Sequence, residues 1–513
     1  MIKPVGGTIP MRALAAAVLF ASGVFAQLGG ASGATANHLP LSGRTAQSGS
    51  VTATQSPVPE TTTSVNTINP TLQVSGPYTG SIGSTATLPF SGKLSLREAV
   101  QRALEFNLGA VGMAQAVRQA RGQQRVARSS LLPNLNGALH VYDEQLDLKA
   151  QGLGSIPHLG FSLPAVIGPF DYFDLRATLT QTVADMTALN NYRSSREIVR
   201  ADQYSSLDAR DLIVFAVGGA YLQVIAAEAR VESVRAQLET ATALYRQASQ
   251  KRGVGLLAQT DVNRSQVQAL TQQERLLSLQ NDLAKQKINL ARMVGLPTSG
   301  SYVLSESIPF SPPPSITLEE ALKQALVNRA DLKAAEAQVQ AARLLRSAAR
   351  DERLPSLSVG GDYGLIGTRP TQSNGTFTAV GALRIPIWQG GRAEGDIEQA
   401  DAALAQRRAE IEDLRGRIES DIRDAYLDLE AANSQVEVAV QNVRVTRETL
   451  NLTRQRFDAG VTDNVEVVQA QGSVAGAELD YINSVFAHNL AKLSLARAVG
   501  GAAENLAQFL KLQ

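Results

Sequence analysis

The sequence contains no cysteine, few aromatic residues and almost no net charge. Without cysteine among its 513 residues, the chain has no disulfide, no thiolate zinc site, no cysteine nucleophile and no lipid on a cysteine. A net charge of +1 provides no strong field for nucleic acid or an acidic partner. Aromatic residues make up only 5%, whereas Ala and Gln recur throughout, a bias that favours long helices.

Groups that carry enzymatic chemistry are also sparse. The four histidines, His38, His140, His158 and His488, are scattered and show no paired spacing on one helix. The chain has no G-x-x-x-x-G-K-[ST] loop for a nucleotide. The sequence therefore predicts a protein that is not an enzyme and has no metal or cofactor, so that energy for any transport comes from a partner.

The first residues have the pattern of an export signal. Lys3 and Arg12 supply positive charge, Ala13–Phe25 is an apolar run, and small-residue cleavage sites follow at 24–26 and 34–36. We expect a signal peptide over residues 1–26; the alternative, a membrane anchor, needs roughly 20 apolar residues. We expect no later membrane helix, because charges interrupt the apolar runs. An exported protein without such a helix is either soluble or a β-barrel.

Residues 27–92 are rich in Ser, Thr, Gly and Pro and contain few charges, which predicts a disordered arm. The rest of the chain is duplicated, with a first repeat over 93–300, a second over 315–501 and a short tail over 502–513. The period is far too long for a solenoid. The matches occur in order: Leu96–Val100 with Leu318–Leu322, Leu132–Leu135 with Leu354–Leu357, Ala220–Leu222 with Ala425–Leu427, Gly255 with Gly460, and Ala291–Gly295 with Ala496–Gly500.

Each repeat is predicted to contain a helix, two strands, a long helix, a turn and a last helix. The first helices cover 95–128 and 317–350, and the long ones Thr187–Arg252 and Gly391–Phe457. At about 1.5 Å per residue, each long helix reaches roughly 100 Å. The sequences 253–255 and 458–460 predict tight turns at the far ends of these helices.

The four predicted strands alternate between apolar and polar residues, and aromatic residues cluster near their ends. This pattern favours transmembrane strands, although alternation is also typical of a soluble hairpin packed on a core. Four strands cannot close a barrel, and lipid does not tolerate an open sheet edge. Two chains would form a filled barrel of eight strands, and three chains a barrel of twelve with a lumen. The apolar faces are Leu135, Leu139 and Val141; Phe173, Leu175, Ala177, Leu179 and Val183; Leu357, Val359 and Tyr363; and Phe377, Ala379, Leu383, Ile385 and Ile387.

On these residues the chain resembles the TolC-like outer-membrane efflux family, the outer membrane factors, from about Ser95 to Gly501. The motifs are the duplicated L-x-x-A openings, the L-P before the first strand of each repeat, Pro386–Arg392, the tip Arg456–Gly460 and the twofold A-R-x-V-G. The resemblance implies a homotrimer with a 12-strand β-barrel in the outer membrane and an α-helical tunnel in the periplasm. It also implies docking to a periplasmic adaptor and an inner-membrane pump of an efflux or type I secretion system.

The same resemblance implies a constriction at the tunnel tip, held shut by polar links and lined by acidic residues. Thr260 and Asp261 match partners in the outer helix pair, and Glu466 matches the upper acid of the constriction. Phe457 stands where a tyrosine is usual, Thr462 where an arginine is usual, and Gln469 where the lower acid is usual. We therefore expect a tip that is less tightly locked and less cation-selective. The expected adaptor-docking turns contain Gly253, Gly255, Asp458 and Gly460.

Two other classes remain open at this point. An exported coiled-coil stalk without a lumen would need sustained heptads and no barrel strands, and the alternating segments speak against it. A passive porin would need many more strands per chain and little helix. The cargo, whether drug, metal, small metabolite or protein, cannot be read from the residues.

Overall fold

A computed structural model describes residues 49–57, 68–82, 90–150, 164–307 and 309–510. The predicted signal peptide, 1–26, lies outside them. The described residues form two units, one within 129–185 and 355–384 and the other within 45–128, 186–354 and 385–513. Its described elements are β1 (Val51–Pro57), β2 (Ile68–Val74), β3 (Lys93–Leu94), α1 (Leu96–Phe106), α2 (Leu108–Ser129), β4 (Asn134–Asp147), β5 (Val166–Ala184), α3 (Met186–Gly253), α4 (Gln259–Val294), β6 (Val303–Leu304), α5 (Leu318–Asn328), α6 (Ala330–Asp351), β7 (Ser356–Gly367), β8 (Ser373–Arg384), α7 (Arg392–Asp458), α8 (Asn464–Val499) and α9 (Ala502–Leu510).

The first unit is an antiparallel sheet with the strand order β4–β5–β7–β8. The alternation predicted from the sequence is present, because register places Ala177, Tyr363 and Phe377 side by side on one face. That face is exposed: 71% of Leu135 and 79% of Phe377 are accessible to solvent. In a soluble sheet these side chains would pack on a core.

The opposite face of the sheet is polar. Arg176 contacts Asp174 at 3.2 Å, pairs with Asp362 on the neighbouring strand, and donates to Thr376 Oγ1 at 3.2 Å. Charged and hydroxyl side chains on one face and exposed apolar side chains on the other form the pattern of a barrel strand between lumen and lipid. The lengths of β4 and β5, 14 and 19 residues, exceed the roughly 9–11 residues that span a bilayer.

The second unit is built around two helices of 68 and 67 residues, α3 and α7. Their ends lie within one residue of the predicted ends. In the second repeat α7 packs along α6 and α8, so two shorter helices run beside one long helix. The mainly α fold with duplicated helix–strand–strand–long helix–helix units is confirmed.

One long apolar run was not predicted from the sequence. Helix α3 contains an 18-residue stretch apolar enough to cross a membrane, against the expectation that charges interrupt every such run, and 67% of that stretch is buried within the protein. Its residues Ile213–Leu222 form the centre of a core with α1, α4 and α8. A Cβ on Gly219 would lie 2.7 Å from Leu72, so this glycine permits β2 to approach the helix closely.

The first helix of each repeat is broken, which corrects the prediction of continuous helices over 95–128 and 317–350. The breaks occur at Asn107 (ψ 134°) and Arg329 (ψ 124°), which are 222 positions apart and therefore equivalent in the two repeats. Tertiary contacts hold each break. Asn107 Nδ2 donates to the carbonyls of Tyr78 (2.9 Å) and Met293 (3.2 Å), and Arg329 pairs with Asp331 (2.7 Å) and Asp421 (2.9 Å).

Part of the segment predicted as a disordered arm, 27–92, is ordered. Strands β1 and β2 pair antiparallel from Val51↔Val74 to Pro57↔Ile68. Val51 and Tyr78 are buried in the core around α3, with Leu72 packed against it. The prediction was wrong here because the few apolar residues of this polar segment are buried by helices distant in sequence. The free energy gained by that burial does not show in the local sequence pattern. The rest of the arm lies outside the described residues.

Candidate functional site

The two long helices end in equivalent turns at the positions predicted from glycine. Gly255 (φ +77°) and Gly460 (φ +74°) are both left-handed, a conformation that glycine adopts without strain. In each turn the glycine N–H donates to a carbonyl three residues earlier, that of Arg252 (2.9 Å) or Phe457 (3.1 Å). Apolar side chains beside the glycines face solvent, with 74% of Leu256 and 67% of Val461 exposed. The turns thus present apolar surface at one end of the helical unit.

A small apolar cluster lies immediately behind these turns. Phe457, 4% exposed, packs with Leu244 of α3 and Val467 of α8. Lys251 Nζ lies 4.1 Å from the centroid of the Phe457 ring, a cation–π contact. Phenylalanine here closes the core between the two long helices with no hydroxyl to satisfy.

Polar links join the long helices around this cluster. Gln247 Nε2 donates to Asp458 Oδ1 at 2.7 Å, and Lys251 Nζ lies 3.7 Å from the same carboxylate. Asp458, predicted only as a turn residue, thus ties the end of α7 to α3. Because the carboxylate is 58% exposed, its ion pair with Lys251 contributes little, below about 1 kcal/mol.

A second link joins the first turns of α4 and α8, the helices that follow the two glycine turns. Asn464, fully buried at the first turn of α8, donates from Nδ2 to Asp261 O (3.0 Å) and Ser265 Oγ (2.6 Å) of α4. Asn464 was not predicted from the sequence as a site residue. Its only local signal is its place after Asp463, whose side chain caps α8 by accepting from Val465 N at 2.9 Å.

The predicted gate residues of α4 have mixed environments. The Asp261 carboxylate accepts a hydrogen bond from Arg264 Nη1 at 2.9 Å on its own helix. The backbone carbonyl of Asp261 accepts a hydrogen bond from Asn464 Nδ2. Thr260 is exposed. Thr462 Oγ1 is buried, and within the described part of the chain no group reaches it. Asp261 therefore links the pair α3 and α4 to the pair α7 and α8 through its backbone carbonyl and not through its carboxylate.

The two predicted constriction residues share one exposed face of α8. Glu466 and Gln469 are one helical turn apart, and both are exposed. Glu466 Oε2 lies 3.6 Å from Arg456 Nη1, and half of the Glu466 side chain remains accessible. At this distance and exposure the arginine neutralises the carboxylate incompletely. The face can therefore present one negative charge, with a neutral amide one turn further along α8.

Comparison with known proteins gives the setting of this tip. The sequence profile of the Outer membrane efflux protein family matches residues 99–296 and 321–501. Outer membrane protein OprJ of Pseudomonas aeruginosa is 26% identical over 423 residues, which are 79% of this chain and 84% of OprJ. The pyoverdine export outer membrane protein OpmQ of the same organism is 24% identical over 80% of this chain and 86% of its own.

A solved structure shows the same fold. The CmeC outer membrane channel of Campylobacter jejuni superimposes with a TM-score of 0.71 over 90% of this chain and 98% of CmeC, at 15% identity. The profile match covers most of the chain, in two segments that each end one residue after an A-R-x-V-G motif. The duplicated helical unit, the amphipathic four-stranded sheet and these matches agree, and the chain belongs to the outer membrane efflux protein family as an efflux channel of the outer membrane.

Proposed function

We propose that three copies of this chain form an exit duct that receives substrate from a periplasmic adaptor and an inner-membrane pump. The observation that carries the proposal is the four-stranded sheet with an apolar exposed face and two outer strands, β4 and β8. In lipid the unpaired edges of these strands would be costly, because no water satisfies their backbone groups. Pairing β8 of one copy with β4 of the next removes both edges, and twelve strands leave room for a lumen.

The helices carry matching signs of self-association. Val438, Val445 and Leu452 of α7 are exposed and lie seven residues apart. On α4, Val267, Leu270 and Leu277 are exposed with spacings of three and seven. Such spacing is that of a coiled-coil seam, and its burial against another helix is favourable by about 25 cal/mol per Å². These faces support helix–helix contacts between neighbouring copies.

The tip turns support docking of the adaptor. Gly253, Gly255, Asp458 and Gly460 form two equivalent turns that expose Val254, Leu256 and Val461. An exposed apolar cluster of this kind, bordered by polar groups, is typical of a protein interaction surface. We infer that a helical adaptor covers it and that energy for transport enters through this contact.

The same tip supports a selective constriction. A trimer places three Glu466 carboxylates in one ring and no second ring, because the next position on the face is Gln469. Rings of carboxylates favour cations in pores. We infer moderate cation preference, with Phe457, Thr462, Thr260 and Asp261 forming a tip that lacks the charged links usual in the family.

Native-state mass and single-channel conductance of the purified protein test the duct. We expect a trimer with discrete conductance steps. Val445→Asp places a charge in the seam and should shift the mass towards monomer, whereas Asn451→Asp adds the same charge at another exposed position of α7 and should leave the trimer intact. A soluble monomer or fibre without conductance would contradict the proposal and favour a stalk without a lumen.

A further inference from the structure

Glu478 of α8 joins three helices at one carboxylate. Its Oε2 accepts hydrogen bonds from Ser233 Oγ (2.7 Å) and Gln237 Nε2 (3.2 Å) of α3. Its Oε1 accepts from Arg447 Nη2 of α7 at 2.7 Å. Both oxygens are therefore used, and only 17% of the side chain is exposed.

The electrostatic setting keeps this carboxylate charged. Burial by itself would raise the pKa of Glu478, but the hydrogen bonds from Ser233, Arg447 and Gln237 outweigh it and lower the pKa below its ordinary value. A carboxylate that accepts several hydrogen bonds in a half-buried site attaches helices to each other more strongly than an exposed ion pair does. Glu478 is thus a firm attachment of α7 and α8 to α3.

A pocket of about 210 Å³ with polar and apolar walls, open to solvent, borders this attachment on the side of the tip. It is bounded by α3, α4, α7 and α8, with Gln272 from α4, Gln471 from α8 and Glu478 at its wall. Gln272 and Gln471 are 6% and 8% exposed, and their Oε1 atoms contact no hydrogen-bond donor in the part of the chain that the structure describes. Buried amides in a pocket of this size are suited to ordered water.

The pair α3 and α4 is therefore joined to the pair α7 and α8 differently along its length. On the side of the pocket away from the tip the pairs are joined by Glu478, and at the tip by the apolar cluster of Phe457 and by Asn464. Between these levels the packing is interrupted by the pocket, where buried amides such as Gln272 and Gln471 can exchange hydrogen bonds with water at little cost when a helix shifts.

We propose that Glu478 is the pivot on which the tip ends of α7 and α8 swing away from α3 and α4 when the tip opens, with the pocket beside it providing the room for that movement. The inference rests on the proposed duct. It makes Glu478 a positioning residue for gating, because its own side chain is turned between the helices and not onto the exposed face of Glu466 and Gln469. Without the pivot, the tip is held only by its own contacts and opens more readily.

The test uses the full-length trimer, in which conductance and closure of the tip are measured together. A Gln247→Cys, Asp458→Cys pair reports closure by the rate of its disulfide formation, and the natural absence of cysteine excludes side reactions. Glu478→Ala should raise open probability severalfold and slow disulfide formation severalfold. Glu478→Gln, which retains the shape and an acceptor, should give a smaller change of the same sign. Glu232→Ala, which removes an exposed i,i+3 pair with Arg235, is the matched control and should change neither.

The disulfide also tests whether the effect of Glu478→Ala acts through the tip. In the oxidised pair the Glu478→Ala channel should return to the parent's open probability and lose it again on reduction, whereas damage elsewhere in the protein would not be repaired by a cross-link at the tip. An assembled Glu478→Ala trimer with the parent's conductance and cross-linking rate would overturn the pivot. A parent that does not conduct at all would instead contradict the proposed duct.

Discussion

Tyr221 and Tyr426 donate the same hydrogen bond in the two repeats. Tyr221 Oη donates to Leu94 O at 3.0 Å, and Tyr426 Oη donates to Ile316 O at 2.8 Å. The two tyrosines are 205 positions apart, and their acceptors are 222 positions apart, which are the two offsets of the repeat. In each repeat the bond fixes the long helix to the segment that precedes the first helix.

The environments of the two tyrosines predict unequal effects of removing the hydroxyl. Tyr221 is fully buried, and burial raises its pKa to about 12, so it is a permanent donor. We expect Tyr221→Phe to destabilise the helical unit by about 1 kcal/mol. Tyr426 is partly exposed, so water can replace the donor and Tyr426→Phe should cost less than about 0.5 kcal/mol. Thermal melts of the two variants followed by circular dichroism give the comparison, and an equal or reversed order would contradict it.

The exposed face of α8 predicts how ion selectivity changes with charge. Glu466→Gln removes the one carboxylate of the face, so the cation-to-anion permeability ratio should fall by roughly twofold or more. Gln469→Glu adds a carboxylate one turn away and should raise the ratio. Reversal potentials in a salt gradient measure both. Glu412 is an exposed residue of α7 that is paired with Arg415 at 2.8 Å, and Glu412→Gln should leave the ratio unchanged. An equal shift in this variant would contradict the placement of Glu466 at the constriction.

The buried link at Asn464 predicts a local effect on the tip. Asn464→Ala removes donors to Asp261 O and Ser265 Oγ and leaves a small hole, at a cost of about 2 kcal/mol. Amide exchange in the first turns of α4 and α8 should accelerate. Asn263→Ala, which removes only an exposed contact with Gln259 (2.9 Å), should change stability by no more than about 0.5 kcal/mol. Unchanged exchange in the Asn464 variant would show that the apolar cluster alone holds the tip.

The long helices were predictable because their signals are local. Apolar spacing and the glycine turns at Gly255 and Gly460 placed the ends of α3 and α7 within a residue or so. The strands followed from alternation, and the duplication from ordered matches. The site residues Phe457, Asp458 and Glu466 were found through family motifs, and the roles assigned to them remain predictions.

The features that could not be predicted depend on partners far away in sequence. The helix breaks at Asn107 and Arg329 have no proline, and each is held by contacts with other segments. Asn464 has partners about 200 positions earlier, and Leu72 packs into the space left by Gly219. Sequence patterns report a local preference, whereas these contacts arise only when the two repeats are folded together.

A buried histidine predicts loss of stability in acid. His488 is fully buried beside Lys492, under the ring of Phe310 at 4.9 Å. Its Nε2 donates to Ser311 O at 2.9 Å, and Lys492 Nζ donates to the same carbonyl at 2.5 Å. Burial chiefly lowers the pKa of His488 to about 4; the hydrogen bond to Ser311 opposes this shift, and the charge of Lys492 adds to it. The neutral ring therefore pins the segment between the repeats to α8.

Because the pKa is lower in the folded than in the unfolded protein, protons bind the unfolded chain more tightly. The stabilisation is complete above about pH 6.5 and is lost as the pH falls towards 4, with a total of about 2 kcal/mol or more per protomer. Melting temperature should fall over this window in the parent. His488→Gln, which keeps a donor for Ser311 but cannot titrate, should flatten that slope even if it lowers the melting temperature at pH 7.5. A variant with the parent's slope would place the acid sensitivity at another group.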